Sequence, residues 1–258
     1  MKIDLNSDMG ESYGAWKMGD DEALMPHITS ASIACGWHAG DPAVMRATVK
    51  LAKRHGVRVG AHPGYPDLLG FGRRPMQLSP GEARDYILYQ IGALAAFAKA
   101  EGIRLQHVKP HGGLYNVAAR DRLLSKAIVE AVVEADPTLI LVGAPESELV
   151  KAGQEAGLKV AREGFGDRAY NEDGSLVSRQ LPGALVTDPD AVADRVLMML
   201  EGKVRASTGR MIAATVDTIC LHGDTPGVAA IARRLRERLM EADVNVVPLE
   251  EVLGAQVS

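Results

Sequence analysis

Cysteine is scarce: Cys35 and Cys220 are the only two in 258 residues. Two cannot build a disulfide framework, and both sit in apolar runs, where a reduced core thiol is the plain reading. Long apolar runs are missing too. A charge-free stretch such as Ile87 to Ala98 still carries Tyr89 and Gln90, and none reaches the roughly 18 apolar residues of a membrane span. The opening Met1-Lys2-Ile3-Asp4-Leu5-Asn6 has no apolar segment ahead of a small-residue cleavage site, so a cytoplasmic rather than a secreted protein is expected. Net charge is −4 with no block of five like charges, whereas nucleic-acid surfaces cluster Lys and Arg. Neither a nucleic acid nor a membrane is therefore an expected partner.

Several catalytic signatures are also absent. There is no G-x-x-x-x-G-K-[ST] phosphate loop and no G-x-S-x-G elbow, and the cysteines lack the C-x-x-C spacing of a thiolate zinc site. Gly70-Phe71-Gly72-Arg73-Arg74-Pro75 begins like a dinucleotide fingerprint, but the third glycine is missing and no strand directly precedes it.

What is present is an ordinary globular composition, 47% hydrophobic and 24% charged. Short β-rich runs alternate with amphipathic segments along the chain. Strands are predicted at Lys2–Met9, Ser32–Trp37, Val57–His62, Leu105–Lys109, Leu139–Gly143, Lys159–Gly164, Thr218–His222 and Asn245–Leu249. Asp41-Pro42 opens a helix with Val44, Met45, Thr48, Val49 and Ala52 on one face. Ser79-Pro80-Gly81-Glu82 is a capping box, and Thr225-Pro226 repeats the cap-then-proline signal before Ala229–Met240. This alternation implies parallel strands joined by right-handed crossovers, an α/β class. Strands buried on both faces should read as continuous Val, Ile and Leu. Several here instead carry polar residues at every second position near their C-terminal ends, which suits a βα-barrel better than an open doubly wound sheet. No composition shift or internal repeat divides the chain, so one domain is expected over residues 1–258, with the polar segment Phe165–Pro182 as a long loop over that face.

Period-two alternation sorts the candidate residues. Asp4, Asn6 and Asp8 share a face of the first strand, with Glu11 just beyond it. His38 follows the second strand, His62 ends the third, His107, Lys109 and His111 align in the fourth, and Cys220, His222 and Asp224 align in the seventh. Burying so many ionisable groups without function would be costly, so a shared site is predicted. Asp4, near a strand start, reads as structural. Asp8 and Glu11 read equally as a general base with its partner or as a helix-capping pair, and Asp41 reads first as an N-cap. Lys109 is the sharpest signal, because a buried lysine is rare unless paired, and it is expected to bind an anionic oxygen. Arg73 and Arg74, and likewise Asp167 and Arg168, read either as an anion clamp or as a solvated loop. Asp and His at strand ends could also bind a divalent metal, and Asp8, His38 and His62 are the candidate ligands.

Seven ordered motifs resemble the LamB/YcsF family over nearly the whole chain. They are Asp4-Leu5-Asn6-Ser7-Asp8-Met9-Gly10-Glu11, Ser32 through Pro42, Gly60-Ala61-His62-Pro63-Gly64-Tyr65-Pro66-Asp67, Gly70 through Arg74, Val108-Lys109-Pro110-His111 through Asn116, Glu163 through Tyr170, and Leu221-His222-Gly223-Asp224. Trp37 and Gly113 stand where Phe and Ala are commoner, both conservative departures. The resemblance implies a seven-stranded βα-barrel of the glycoside hydrolase/deacetylase type, which would leave Asn245–Leu249 peripheral. It also implies ATP-dependent opening of the 5-oxoproline (pyroglutamate) lactam to L-glutamate, with ATP as cosubstrate and two partner subunits, B and C. On that reading Asp8, Glu11, His38, His62, Lys109 and His111 are catalytic candidates. Asn6, Arg73, Arg74, Tyr115, Arg168, His222 and Asp224 are candidates for holding the small-molecule substrate. The alternatives are a metal-dependent deacetylase of an N-acetylated sugar and a non-catalytic substrate-binding subunit.

Overall fold

Ile3, Leu5 and Met9 alternate with Asp4, Asn6 and Asp8 along the first strand, so one side of it seeks an apolar layer and the other a polar one. In the computed structural model, which describes residues 1–254, this strand is β1 (Lys2–Met9). The expected domain runs on into residues 255–258, which lie outside the described residues. The next strands are β2 (Ser30–Ala34), β3 (Arg58–His62), β4 (Leu105–Val108), β5 (Ile140–Gly143) and β6 (Val160–Phe165). After these come β7 (Lys203–Arg205), β8 (Met211–Ala213), β9 (Thr218–Cys220) and β10 (Asn245–Val246). Strands β1 to β6 pair in sequence order, β6 pairs with β9, and β9 returns to β1 through Asp4↔Thr218, Leu5↔Ile219 and Asn6↔Cys220, all parallel. The result is a closed seven-stranded parallel barrel, and the β1–β9 pairing excludes the open sheet.

The helices are α1 (Asp21–Leu24), α2 (Pro42–His55), α3 (Pro80–Ala100), α4 (Gly112–Ala118), α5 (Arg122–Ala135), α6 (Glu148–Glu155), α7 (Pro189–Leu200), α8 (Val228–Glu241) and α9 (Leu249–Val252). Asp41 caps α2 by accepting from the amides of Ala43 and Val44, and Ser79 with Glu82 forms the expected capping box on α3. The apolar core lies between strands and helices, with Ile3, Leu5, Ile33, Val59, Val108 and Ile219 fully or almost fully buried. Among the described residues no helix is long and apolar enough to cross a membrane.

Inside the barrel the layers are polar. Asp4 accepts hydrogen bonds from the hydroxyls of Thr29, Ser30 and Thr218 at 2.5–2.8 Å. His107 meets Ser32 Oγ at 3.0 Å, and burial pushes its pKa down to about 3. Burial pushes the Asp4 carboxyl up to about 6 from 3.8, despite its hydroxyl donors. A raised carboxyl favours the protonated native state. Its contribution is therefore fully present below pH 4 and is lost as pH rises through 6, by about 3 kcal/mol for a shift of this size. Urea unfolding of Asp4→Asn beside the parent chain isolates it: the variant should gain about that much relative stability between pH 4 and 7. A gap that does not change with pH would contradict this.

Three sequence expectations are corrected, and one element is new. The second strand is Ser30–Ala34 rather than Ser32–Trp37, because Gly36 adopts φ 96° and turns the chain back to a Gly36 N–H bond on the Ala39 carbonyl. Asn245–Leu249 is not a barrel strand: only Asn245 and Val246 pair, against Lys2 and Ile3, and Leu249 starts α9. Thr225 does not cap α8; Gly227 holds that position, and the Thr225 hydroxyl donates to Asp167 at 2.6 Å. The β7–β8 hairpin was not expected at all. Phe165–Pro182 does become mostly loop, pinned over the barrel end where Arg179 reaches Asp224.

Candidate active site

The C-terminal strand ends bring the polar side chains together. Lys109, just past β4, is almost fully buried. Its ammonium lies 2.5 Å from Asp8 Oδ1, 2.8 Å from Asn6 Oδ1, 3.0 Å from Glu163 Oε1 and 3.4 Å from Cys220 Sγ. Its three hydrogen bonds go to Asn6, Glu163 and Cys220, with Asp8 Oδ1 as an ion-pair contact, so Lys109 acts by holding Asp8 and Glu163 rather than by offering a free donor to an anionic oxygen. Burial opposes charge on both partners, yet their mutual attraction wins. Lys109 is held well above the usual lysine range, and Asp8, beside His62 and Lys109, well below the usual carboxylate range.

A second group sits beside it. Glu11 Oε1 is 3.3 Å from His38 Nε2 and 3.4 Å from His111 Nδ1, and His62 Nε2 is 2.9 Å from His111 Nδ1 and 3.4 Å from Asp8 Oδ1. The His38 and His111 rings stack with centroids 3.7 Å apart. Burial, then the charge on Asp8, raises Glu11 to about 8, while burial and neighbouring imidazoles hold His38 and His111 well below their usual value. The glycines of the motifs make this crowding possible. A Cβ on Gly64 would lie 2.6 Å from His38 Nδ1, and one on Gly72, whose φ is +62°, would lie 2.7 Å from His38 and 2.9 Å from His111.

A third group comes from β6 and β9. His222 Nδ1 lies 2.9 Å from Asp167 Oδ1, and Asp167 also accepts from the His222 amide and the Thr225 hydroxyl. Phe165 stacks on the His222 ring, with centroids 5.4 Å apart. A buried carboxylate accepting from Nδ1–H leaves the other ring nitrogen free to take a proton. Asp8, Cys220 and His222 offer polar atoms within 4.8 Å of one another. Asp224 binds both Arg73, at 2.7 Å, and Arg179, at 2.9 Å. Side-chain exposure of 11% at Asp8, 12% at His222, 16% at Asp224, 23% at Arg179 and 42% at Arg73 marks where solvent reaches the site.

The structure thus brings together Asn6, Asp8, Glu11, His38, His62, Lys109, His111, His222, Asp224 and Arg73. Tyr115 joins them from below: its hydroxyl is buried, and burial and the Glu163 charge hold it well above the usual tyrosine range. Two expected residues stand apart. Arg74 pairs with Asp67 and is largely exposed. Arg168 donates to the carbonyls of Val177 and Ala184, so it fastens the covering loop, and burial and nearby Arg179 lower its pKa to about 10. The metal set also changes: Asp8 falls with Cys220 and His222, while His38 and His62 gather with Glu11 and His111. Glu163 and Arg179 were missed. Period two from Ala161 through Phe165 would have turned Glu163 inward; Arg179, in a loop, carries no such signal.

A family model described as the LamB/YcsF family matches residues 3–254. The 5-oxoprolinase A subunit of Pyrococcus abyssi is 57% identical over 98% of this chain and 100% of its own length. The crystal structure of a lactam utilization protein from Thermus thermophilus superposes with a TM-score of 0.90 at 51% identity, covering 96% of this chain and 99% of that one. A family 4 carbohydrate esterase from Streptomyces lividans, solved with acetate, shares the fold alone: TM-score 0.50, 15% identity, 95% of this chain and 91% of that one. That likeness is one of barrel fold.

Proposed function

Because this chain belongs to the LamB/YcsF family, we propose that it is the lactam-binding, hydrolytic component of a cytoplasmic ATP-dependent 5-oxoprolinase, opening 5-oxo-L-proline to L-glutamate. The observation that carries this reading is the Asp167-oriented His222 beside the ionised Asp8, at the solvent edge of an otherwise buried barrel end.

The substrate is an anion and a stabilised cyclic amide. Two guanidiniums, Arg73 and Arg179, share the single carboxylate of Asp224, which leaves one positive charge at the mouth for the substrate carboxylate. Asp8 accepts a hydrogen bond from the ring N–H. The lactam carbonyl oxygen takes the terminal phosphoryl group of ATP and ADP leaves. A water adds to the carbonyl carbon while His222 takes its proton. As the C–N bond breaks, the His222 imidazolium returns that proton to the ring nitrogen, and a second water removes the phosphoryl group as phosphate. With no phosphate loop in this sequence, the nucleotide is held by a partner, one of two further subunits, B and C, of the complex.

The test is to purify the tagged chain with its co-purifying proteins and to follow glutamate formation from 5-oxoproline. Turnover should require both ATP and the partners; turnover by the chain alone without ATP, or none with the complete complex, would contradict the proposal. In the active complex Arg73→Ala should raise KM for 5-oxoproline about 10- to 100-fold with kcat little changed, as expected for a lost charge-assisted contact. A fall in kcat at unchanged KM would remove Arg73 from substrate binding.

A further inference from the structure

A backbone carbonyl only accepts a hydrogen bond, so the ring nitrogen set against it must carry the hydrogen. His62 Nδ1 lies 2.6 Å from the Lys109 carbonyl oxygen and donates to it, leaving a bare lone pair on Nε2. His111 Nε2 lies 2.8 Å from the Phe71 carbonyl oxygen and donates to it, leaving a bare lone pair on Nδ1. Those two bare nitrogens face each other at 2.9 Å. Glu11 Oε1 brings further lone pairs to the same point, 3.4 Å from His111 Nδ1 and 3.3 Å from His38 Nε2. Two bare imidazole nitrogens facing each other beside a carboxyl group in a buried site repel unless something positive lies among them, and His38 Nε2 is turned onto the same Glu11 oxygen.

We propose that Glu11, His38, His62 and His111 form a binding site for one divalent first-row transition cation of the zinc or manganese class. Ligand atoms about 2.0–2.2 Å from a shared cation lie roughly 2.8–3.6 Å from each other between octahedral and tetrahedral angles, which covers the 2.9, 3.3 and 3.4 Å of the neighbouring pairs here. Three imidazoles with one carboxylate suit such a cation, whereas magnesium and calcium call for oxygen ligands. The carbonyls of Lys109 and Phe71 hold His62 and His111 by their outer nitrogens, the arrangement that orients metal-bound imidazoles. Asp8 Oδ1, 3.4 Å from His62 Nε2, adds negative charge alongside. The competing occupant is a single proton, held by Glu11 or shared between the two facing imidazole nitrogens. One proton joins two of these groups at a time, whereas a cation uses all four, including His38, which the fold turns toward the same point. The site stands whether or not this chain acts on a lactam.

The test is calorimetric titration of the full chain, first stripped with chelator, using Zn²⁺ or Mn²⁺ alone near neutral pH, with metal content measured after dialysis. One equivalent should bind with micromolar or tighter affinity and raise the thermal midpoint, while Mg²⁺ gives no comparable binding. Glu11→Gln, which keeps the side-chain shape, should weaken binding by at least about 100-fold with its circular dichroism unchanged, and His111→Gln should do the same. If His111→Gln fails to fold, Glu11→Gln decides alone. No saturable binding of either cation up to about 1 mM, or parental affinity retained by Glu11→Gln, would overturn the proposal and leave a proton as the sole occupant.

Discussion

Replacing Lys109 by methionine should lower ATP-dependent glutamate formation by about a thousand-fold in the assembled complex. The side chain has 2% exposure, hydrogen-bonds Asn6 and Glu163 and pairs with Asp8, so the change takes one cation from between two buried carboxylates. Asp8, now held well below the usual carboxylate range in part by Lys109, must rise. Since the ionised Asp8 is the active form, the acid limb of the kcat/KM profile should move to higher pH; a purely structural lysine would lower the profile without moving that limb. Removing one partner of a buried pair also destabilises, by about 3–5 kcal/mol. The double change Asp8→Asn with Lys109→Met removes one charge of each sign, so it should recover much of the lost stability and none of the activity. Parental turnover in Lys109→Met, or a recovery of activity in the double variant, would remove this cluster from the mechanism.

The second large effect concerns His222. His222→Gln keeps a polar side chain but removes the group that takes and returns the proton, so kcat should fall about 10²- to 10⁴-fold with little change in KM. Asp167→Asn should approach the same loss. An amide can offer Nδ2–H to His222 Nδ1, which favours the tautomer whose outer nitrogen is already protonated. Stopped single-turnover measurements on both variants separate this step from product release. Losses below ten-fold in both would return the base to another residue.

The strands were legible because the barrel imposes period two on both its faces: Asp4, Asn6 and Asp8 turn inward while Ile3, Leu5 and Met9 meet the helices. The same parity located Lys109 and His222. It failed where side chains reach the site from loops or act through fasteners. Arg74 and Arg168 looked like anion clamps, but one is satisfied by Asp67 and the other by backbone carbonyls of the covering loop. Thr225 looked like a helix cap because sequence alone does not reveal that Asp167, 58 residues earlier, competes for its hydroxyl. Which histidines would group was likewise hidden. Glu11 and His111 join His38 and His62 only because Gly64 and Gly72 let the rings close together, a tertiary fact without a local spacing. The Asn245–Leu249 run has strand composition, yet the ring was already closed by β9, leaving only the start of β1 for it to pair with.

In the proposed mechanism the lactam sits at the exposed edge of the barrel end, and a crystal structure of the chain soaked with 5-oxoproline locates it directly. The ring should lie between Asp8 and His222, with its carboxylate on Arg73 or Arg179. Density for the ligand only elsewhere, such as the separate surface cavity lined by Asn116, Arg120 and Leu123, would contradict the account.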